Sequence, residues 1–143
     1  VIPTLIASTL SSNSLTLPVL CAFSTVLGHV FPIYFSFKGG KGAATFIGTI
    51  LVLFPIGALI CLITWISVIF LSGYVGLATI LAAIIFPLSI LIAGKMNLIF
   101  FGVTAMLFVL IAHYKNFIRL LQGKENKFEK VHIFNPNSIW RKK

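Results

Sequence analysis

The chain has 143 residues, 59% of them hydrophobic and 9% charged. That leaves too little polar surface to cover a water-soluble domain. Eleven Lys and Arg stand against two acids, Glu125 and Glu129, with no Asp. The absence of Asp excludes a Ser–His–Asp triad and an aspartate-held Mg²⁺ of the nucleotide-hydrolysing kind. A spanning helix needs about 20 mostly apolar residues. The length therefore suits an all-α polytopic transmembrane bundle of about five spans with short loops.

In chain order, residues 1–10 form an apolar stub too short to cross alone, and residues 11–14 a polar turn. The first full span is expected over Leu17–Phe37. A Gly/Lys loop follows at residues 38–42. Residues 43–71 are apolar throughout, longer than one untilted span requires. Pro55 and Gly57 in the middle allow a short hairpin of two helices; the alternative is one long kinked helix. The hairpin places the lysines of the 38–42 loop on the same side as the basic end of the chain, in line with the positive-inside rule. Further spans are expected over 74–92 and 98–114. Residues 1–122 then make the membrane domain, and 123–143 a polar, basic, cytoplasmic tail.

Eight of the eleven basic residues lie at or after Lys115. A basic tail beside a membrane fits anionic headgroups, and nucleic-acid binding is not expected. Cys21 and Cys61 sit in apolar runs and read as small buried hydrophobes. His29, His113 and His132 lack ligand spacing, so no metal or other cofactor is expected.

Two stretches carry chemistry. In the first, Lys38-Gly39-Gly40-Lys41-Gly42, glycines let backbone N–H groups approach an anion. Lysines add positive charge, and a helix starting at Ala43 aims its N-terminal dipole at the same spot. Phosphate is the expected ligand. The stretch is not a Walker A loop, because Gly42 follows Gly40-Lys41 where Ser or Thr is needed. In the second, His113, Asn116 and Arg119 recur at i, i+3 and i+6, one polar stripe of a helix at the membrane surface. A third, fainter stretch, Tyr74–Ile80, holds Thr79.

Together these stretches resemble the acyl-phosphate-dependent glycerol-3-phosphate acyltransferases of bacteria. The family pattern G-H-x-F-P-x-F/Y-x-x-F-K-G-G-K-G-V-A-T is matched from Gly28 to Thr45, with Ala43 in place of Val. The pattern H-x-x-N-I-x-R-L-x-x-G-x-E is matched by His113, Asn116, Arg119, Leu120, Gly123 and Glu125, with Phe117 in place of Ile. In the family's Y-x-S-L-x-S-I motif, Gly76 and Thr79 stand where the two serines fall. The family's N-terminal span and its Gly/Ser/Asn-rich motif are not found, so the chain, which begins with Val1, reads as an N-terminally incomplete member.

The resemblance implies a multi-pass protein of the bacterial inner membrane that transfers an acyl group from acyl phosphate to the 1-hydroxyl of glycerol 3-phosphate. The products are lysophosphatidic acid and phosphate, the first step of phospholipid synthesis. It implies substrate binding by Lys38, Gly39, Gly40, Lys41, Gly42, Thr45, Thr79 and Arg119. Asn116 would orient the hydroxyl or the carbonyl. The proton acceptor is His113, His29, Glu125 or a substrate phosphate oxygen, and positioning and charge stabilisation are expected to dominate. The alternatives are a catalytically incomplete member of the family and a transporter of a phosphate-bearing solute.

Overall fold

The structure, a computed structural model, describes residues 1–11, 14–37 and 39–127. Lys38 and residues 128–143, most of the expected tail, lie outside the described residues. Regular structure is entirely helical among those described: α1 (Ile2–Leu10), α2 (Thr16–Val30), α3 (Ala43–Leu53), α4 (Pro55–Ser72), α5 (Val75–Ile92), α6 (Ile99–Ala112) and α7 (Tyr114–Leu121). Short 3-10 turns fall at Ile33–Phe35 and Met96–Leu98. In a bilayer a helix is the element that pairs its own backbone within one segment.

Each break has a local cause. Pro55 opens α4 at a position where its missing N–H costs nothing, after Phe54 has left helical geometry at φ −152° and ψ 80°. Gly73 closes α4 with φ 76°, a left-handed cap that favours glycine. The first span stops being helical at Val30 rather than running to Phe37. Pro32 cannot continue an α-helix, and the chain turns through Ile33–Phe35 instead.

Residues 43–72 form the hairpin, not one kinked helix. Ala43 and Ala44 at the start of α3 line the same cavity as Cys61, Leu62 and Trp65 of α4. An unbroken helix would separate residues 43 and 65 by about 33 Å. The reversal packs the Phe54 ring onto Gly57, where an added Cβ would lie 2.3 Å from the ring. The ammonium of Lys95 sits 5.8 Å above the same ring and ties the hairpin tip to the loop between α5 and α6.

Among the described residues, three segments are long and apolar enough to cross a membrane: Thr16–Phe35, Pro55–Ser72 and Val75–Ile92. The α6–α7 pair makes a fourth if its 58° bend is taken as one broken span. At 11 residues α3 extends only about 16 Å, half of a hydrocarbon core. The expected fifth span is thus a half-length segment.

α5 is the central helix. Ala78, Ala82 and Ala83 are buried along it, small residues that let neighbours approach closely. Below them Phe86 meets Phe46 edge-on at 5.3 Å and Phe101 at 6.2 Å, which joins α3, α5 and α6. Ile56, Leu59, Ile63, Ile66 and Phe70 are exposed at helical spacing along α4, an apolar face suited to lipid.

Candidate active site

The end of α2, the start of α3, the start of α5 and the α6–α7 junction meet at one end of the bundle. There they surround a cavity of about 900 Å³. His29, Lys41, His113, Asn116, Arg119 and Glu125 line its polar mouth, and Phe46, Ile47, Cys61, Leu62, Ala82 and Ala83 its apolar interior.

The glycine loop is held by backbone. The N–H of Gly39 donates to the carbonyl of Val30 (3.1 Å), and that of Gly40 to the carbonyl of His29 (3.3 Å). A Cβ on Gly39 would lie 2.1 Å from the His29 carbonyl oxygen, and one on Gly40 2.7 Å from His29 Nε2. These two glycines allow the loop to lie against the end of α2, and their N–H groups are occupied there. Gly42 has φ 76° and enters α3 from the left-handed region. Beyond it, the first-turn N–H groups of Ala43, Ala44 and Thr45 have no intrahelical acceptor, and no side chain among the described residues caps them. Donors facing the cavity therefore come from the start of α3, one step later in sequence than the glycines. Thr45 itself is not part of the cavity lining.

At the centre is a relay of four side chains. Lys41 donates from its ammonium to Asn116 Oδ1. Asn116 Nδ2 donates to Glu125 Oε1 at 2.6 Å. Arg119 Nε donates to Glu125 Oε2 at 2.8 Å. The Glu125 side chain is only 5% exposed, against 45% for Arg119. Burial pushes the Glu125 carboxyl up. The hydrogen bonds from Arg119 and Asn116, with the charges of Arg119 and Lys41, outweigh it and hold the carboxyl below its ordinary value. Both oxygens are thus engaged, and Glu125 is a weak base that positions Asn116 and Arg119.

Gly76, where the family pattern has serine, lies directly against this relay. A Cβ there would be 2.9 Å from Asn116 Nδ2 and 3.0 Å from Glu125 Oε1. The polar stripe expected on one helix instead spans a bend. His113 closes α6, Asn116 and Arg119 belong to α7, and all three still face the cavity. His113 is 4% exposed, and its Nδ1 lies 2.9 Å from the carbonyl oxygen of Val109. That contact fixes the proton on Nδ1 and leaves Nε2 as an acceptor. His29 lies at the mouth, over Gly40.

Thr79 lines the cavity, but its hydroxyl donates to the Val75 carbonyl (3.0 Å) and accepts from Trp65 Nε1 (3.2 Å). It joins α4 to α5. Trp65 was not legible as a site residue, because it sits inside an apolar run; its one signal is a ring N–H that needs a partner when buried. Cys61 donates to the Ala82 carbonyl at 3.4 Å one turn deeper, as a small buried residue.

Fold and site define an α-helical integral membrane protein with a cationic pocket that opens onto an apolar cavity. The chain belongs to the glycerol-3-phosphate acyltransferase family, whose model matches residues 1–123. It is 38% identical over 120 residues to the glycerol-3-phosphate acyltransferase of Allorhizobium ampelinum, covering 83% of this chain and 57% of that protein. To that of Aquifex aeolicus it is 37% identical over 106 residues, covering 73% and 55%. The crystal structure of PlsY, an integral membrane glycerol 3-phosphate acyltransferase in its glycerol 3-phosphate form, superposes with a TM-score of 0.83 at 35% identity. That match covers 89% of this chain and 64% of PlsY. PlsY in its lysophosphatidic acid form gives 0.82 at 34% identity, covering 88% and 65%. The chain thus spans under two thirds of the length of these relatives.

Proposed function

We propose that this site transfers an acyl group from acyl phosphate to the 1-hydroxyl of glycerol 3-phosphate. The hydroxyl oxygen attacks the acyl carbonyl carbon, the bond from that carbon to the phosphate oxygen breaks, and lysophosphatidic acid and phosphate leave. One observation carries the reading: Lys41 and Asn116, 75 residues apart, bond to each other at the mouth of an apolar cavity. Both substrates are phosphate anions, and one also brings an apolar chain.

Lys41 and the first-turn N–H groups of α3 take the glycerol 3-phosphate head. Arg119 takes the second phosphate: its Nε is held by Glu125, and its terminal nitrogens make no hydrogen bond among the described residues. The acyl chain lies between α3, α4 and α5, where each buried methylene contributes about 0.8 kcal/mol. His113 Nε2 accepts the hydroxyl proton, or a phosphate oxygen does. General-base help is typically worth 10²–10⁴-fold. Because positioning and charge dominate here, His113→Ala is expected to cost no more than about 10²-fold in turnover. Complete loss of turnover with unchanged glycerol 3-phosphate binding would contradict this.

The site end of the bundle faces the cytoplasm in this reading, since Lys41 shares it with Lys115, Arg119, Lys124 and Lys127. A cysteine at Lys124 should resist membrane-impermeant thiol reagents in intact cells and react once the cells are opened. Labelling in intact cells would reverse the orientation.

The activity test is phosphate release from an acyl phosphate by this chain in lipid, with and without glycerol 3-phosphate. Release that needs glycerol 3-phosphate and falls in Lys41→Ala supports the acyltransferase. Folded protein that releases no phosphate but moves a phosphate-bearing solute across sealed vesicles would support a transporter instead.

A further inference from the structure

The segment between α2 and the glycine loop, Phe31-Pro32-Ile33-Tyr34-Phe35-Ser36-Phe37, has no charged residue and an unusual surface. Ile33 is 75% exposed, Tyr34 95%, Phe35 71% and Phe37 62%. This is a held conformation. The N–H groups of Phe35 and Phe37 both donate to the Pro32 carbonyl, at 3.1 and 3.0 Å. The base of the segment is clipped by the two backbone bonds from Gly39 and Gly40 to the end of α2. Ser36 and Phe37 adopt left-handed backbone, φ 52° and 60°, which side chains rarely accept and a bulky aromatic least of all. With this turn the side chains of Ile33, Tyr34, Phe35 and Phe37 lie on the outside of the bundle.

A second surface lies at the same end. α7 turns 58° away from α6, and Tyr114, Phe117 and Leu121 are exposed along one of its faces. Lys115 and Arg119 flank that face. A short helix with an apolar face and cationic flanks, turned out of the span direction, has the form of an interfacial helix. Around it, among the described residues, stand Lys41, Lys115, Arg119, Lys124 and Lys127. The one carboxylate there among the described residues, Glu125, is already bound to Arg119 and Asn116.

We infer that the 31–37 loop and α7 form a collar that seats in the interfacial layer of an anionic leaflet and sets the depth of the cavity mouth. Exposed aromatic rings are favoured at the headgroup level, where one end is apolar and the other wet. The cations around them select negative lipid, each being worth more near an anionic surface than a neutral one. Leu17, Leu20, Leu27 and Phe31 are exposed at helical spacing along α2 and its end, an apolar face that leads into the loop. The loop's base is the clip on Gly39 and Gly40, adjacent to Lys41, so seating the loop fixes the plane in which Lys41 meets its ligand. The inference rests on the chain's spanning a membrane, not on the proposed acyl transfer.

The test uses the full chain in bilayer discs of phosphatidylcholine, alone or mixed with phosphatidylglycerol. An environment-sensitive dye is attached to Tyr34→Cys in a Cys21→Ser, Cys61→Ala background. Because Tyr34 is almost wholly exposed, the label displaces no packing. The expected result is emission several-fold less quenched by aqueous acrylamide than the free dye. Lipids with a nitroxide near the headgroup should quench it strongly, and shielding should increase with phosphatidylglycerol. Quenching by acrylamide as strong as for the free dye would overturn the collar. Equal shielding in both lipid mixtures would overturn its selection for anionic lipid. Shielding that appears only as the protein self-associates would assign the surface to a second copy instead. No outcome depends on turnover.

Discussion

Lys41→Ala is expected to lower kcat/KM for glycerol 3-phosphate by about 10²–10³-fold, because it removes a charge-assisted contact to the substrate phosphate and a misplaced substrate alone costs about 10²-fold. Two losses combine. The ammonium no longer faces the phosphate, and Asn116 Oδ1 loses the donor that orients it. Lys41→Arg should recover only part of the rate, because a planar fork cannot replace a compact ammonium held at close range by Asn116. Initial rates over a range of glycerol 3-phosphate would locate the effect. A rise in KM with unchanged kcat would mean that Lys41 only binds.

Glu125→Gln is expected to weaken both the site and the fold at its end of the bundle. Glu125 accepts from Asn116 and from Arg119 at once. A glutamine amide has one acceptor and one donor face, so one partner would meet a donor. Leaving a buried polar group unpaired costs about 1–3 kcal/mol, and the half-exposed Arg119 places the effect toward the lower value. The pH dependence has a definite sign. The folded carboxyl is held below its ordinary value, so its contribution is complete above the ordinary carboxylate range and is lost as pH falls through the lowered folded value. Thermal unfolding of the two proteins in detergent across pH would show it. A wide gap at neutral pH should close in acid; a gap independent of pH would contradict the relay.

Much of the bundle was legible because apolar run length is a direct signal in lipid. Pro55 and Gly57 marked the hairpin, and their reason is visible in the Phe54 ring lying over Gly57. Less legible was where helices end within an apolar run. The first span stops at Val30 because Pro32 breaks it, and the aromatic residues that follow read as more of the same helix. The pairing of Lys41 with Asn116 joins positions 75 residues apart, and no spacing rule reaches that far. From sequence the glycine loop reads as a phosphate cradle; in the structure Gly39 and Gly40 lie in close contact with His29 and Pro32. Sequence alone does not separate a glycine that receives a ligand from one that receives another stretch of backbone. Thr79 is a similar case, since its hydroxyl partner Trp65 lies on another helix.

In the proposed reaction one cationic pocket, centred on Lys41 and Asn116, carries acyl transfer to glycerol 3-phosphate. The most direct measurement is single-turnover phosphate release from acyl phosphate by the lipid-reconstituted chain, at glycerol 3-phosphate well below saturation, for the parent and Lys41→Ala. The expected result is release that requires glycerol 3-phosphate, matches the lysophosphatidic acid formed one for one, and falls about 10²-fold or more in the variant. Equal release from both proteins, or no lysophosphatidic acid from folded parent, would contradict it.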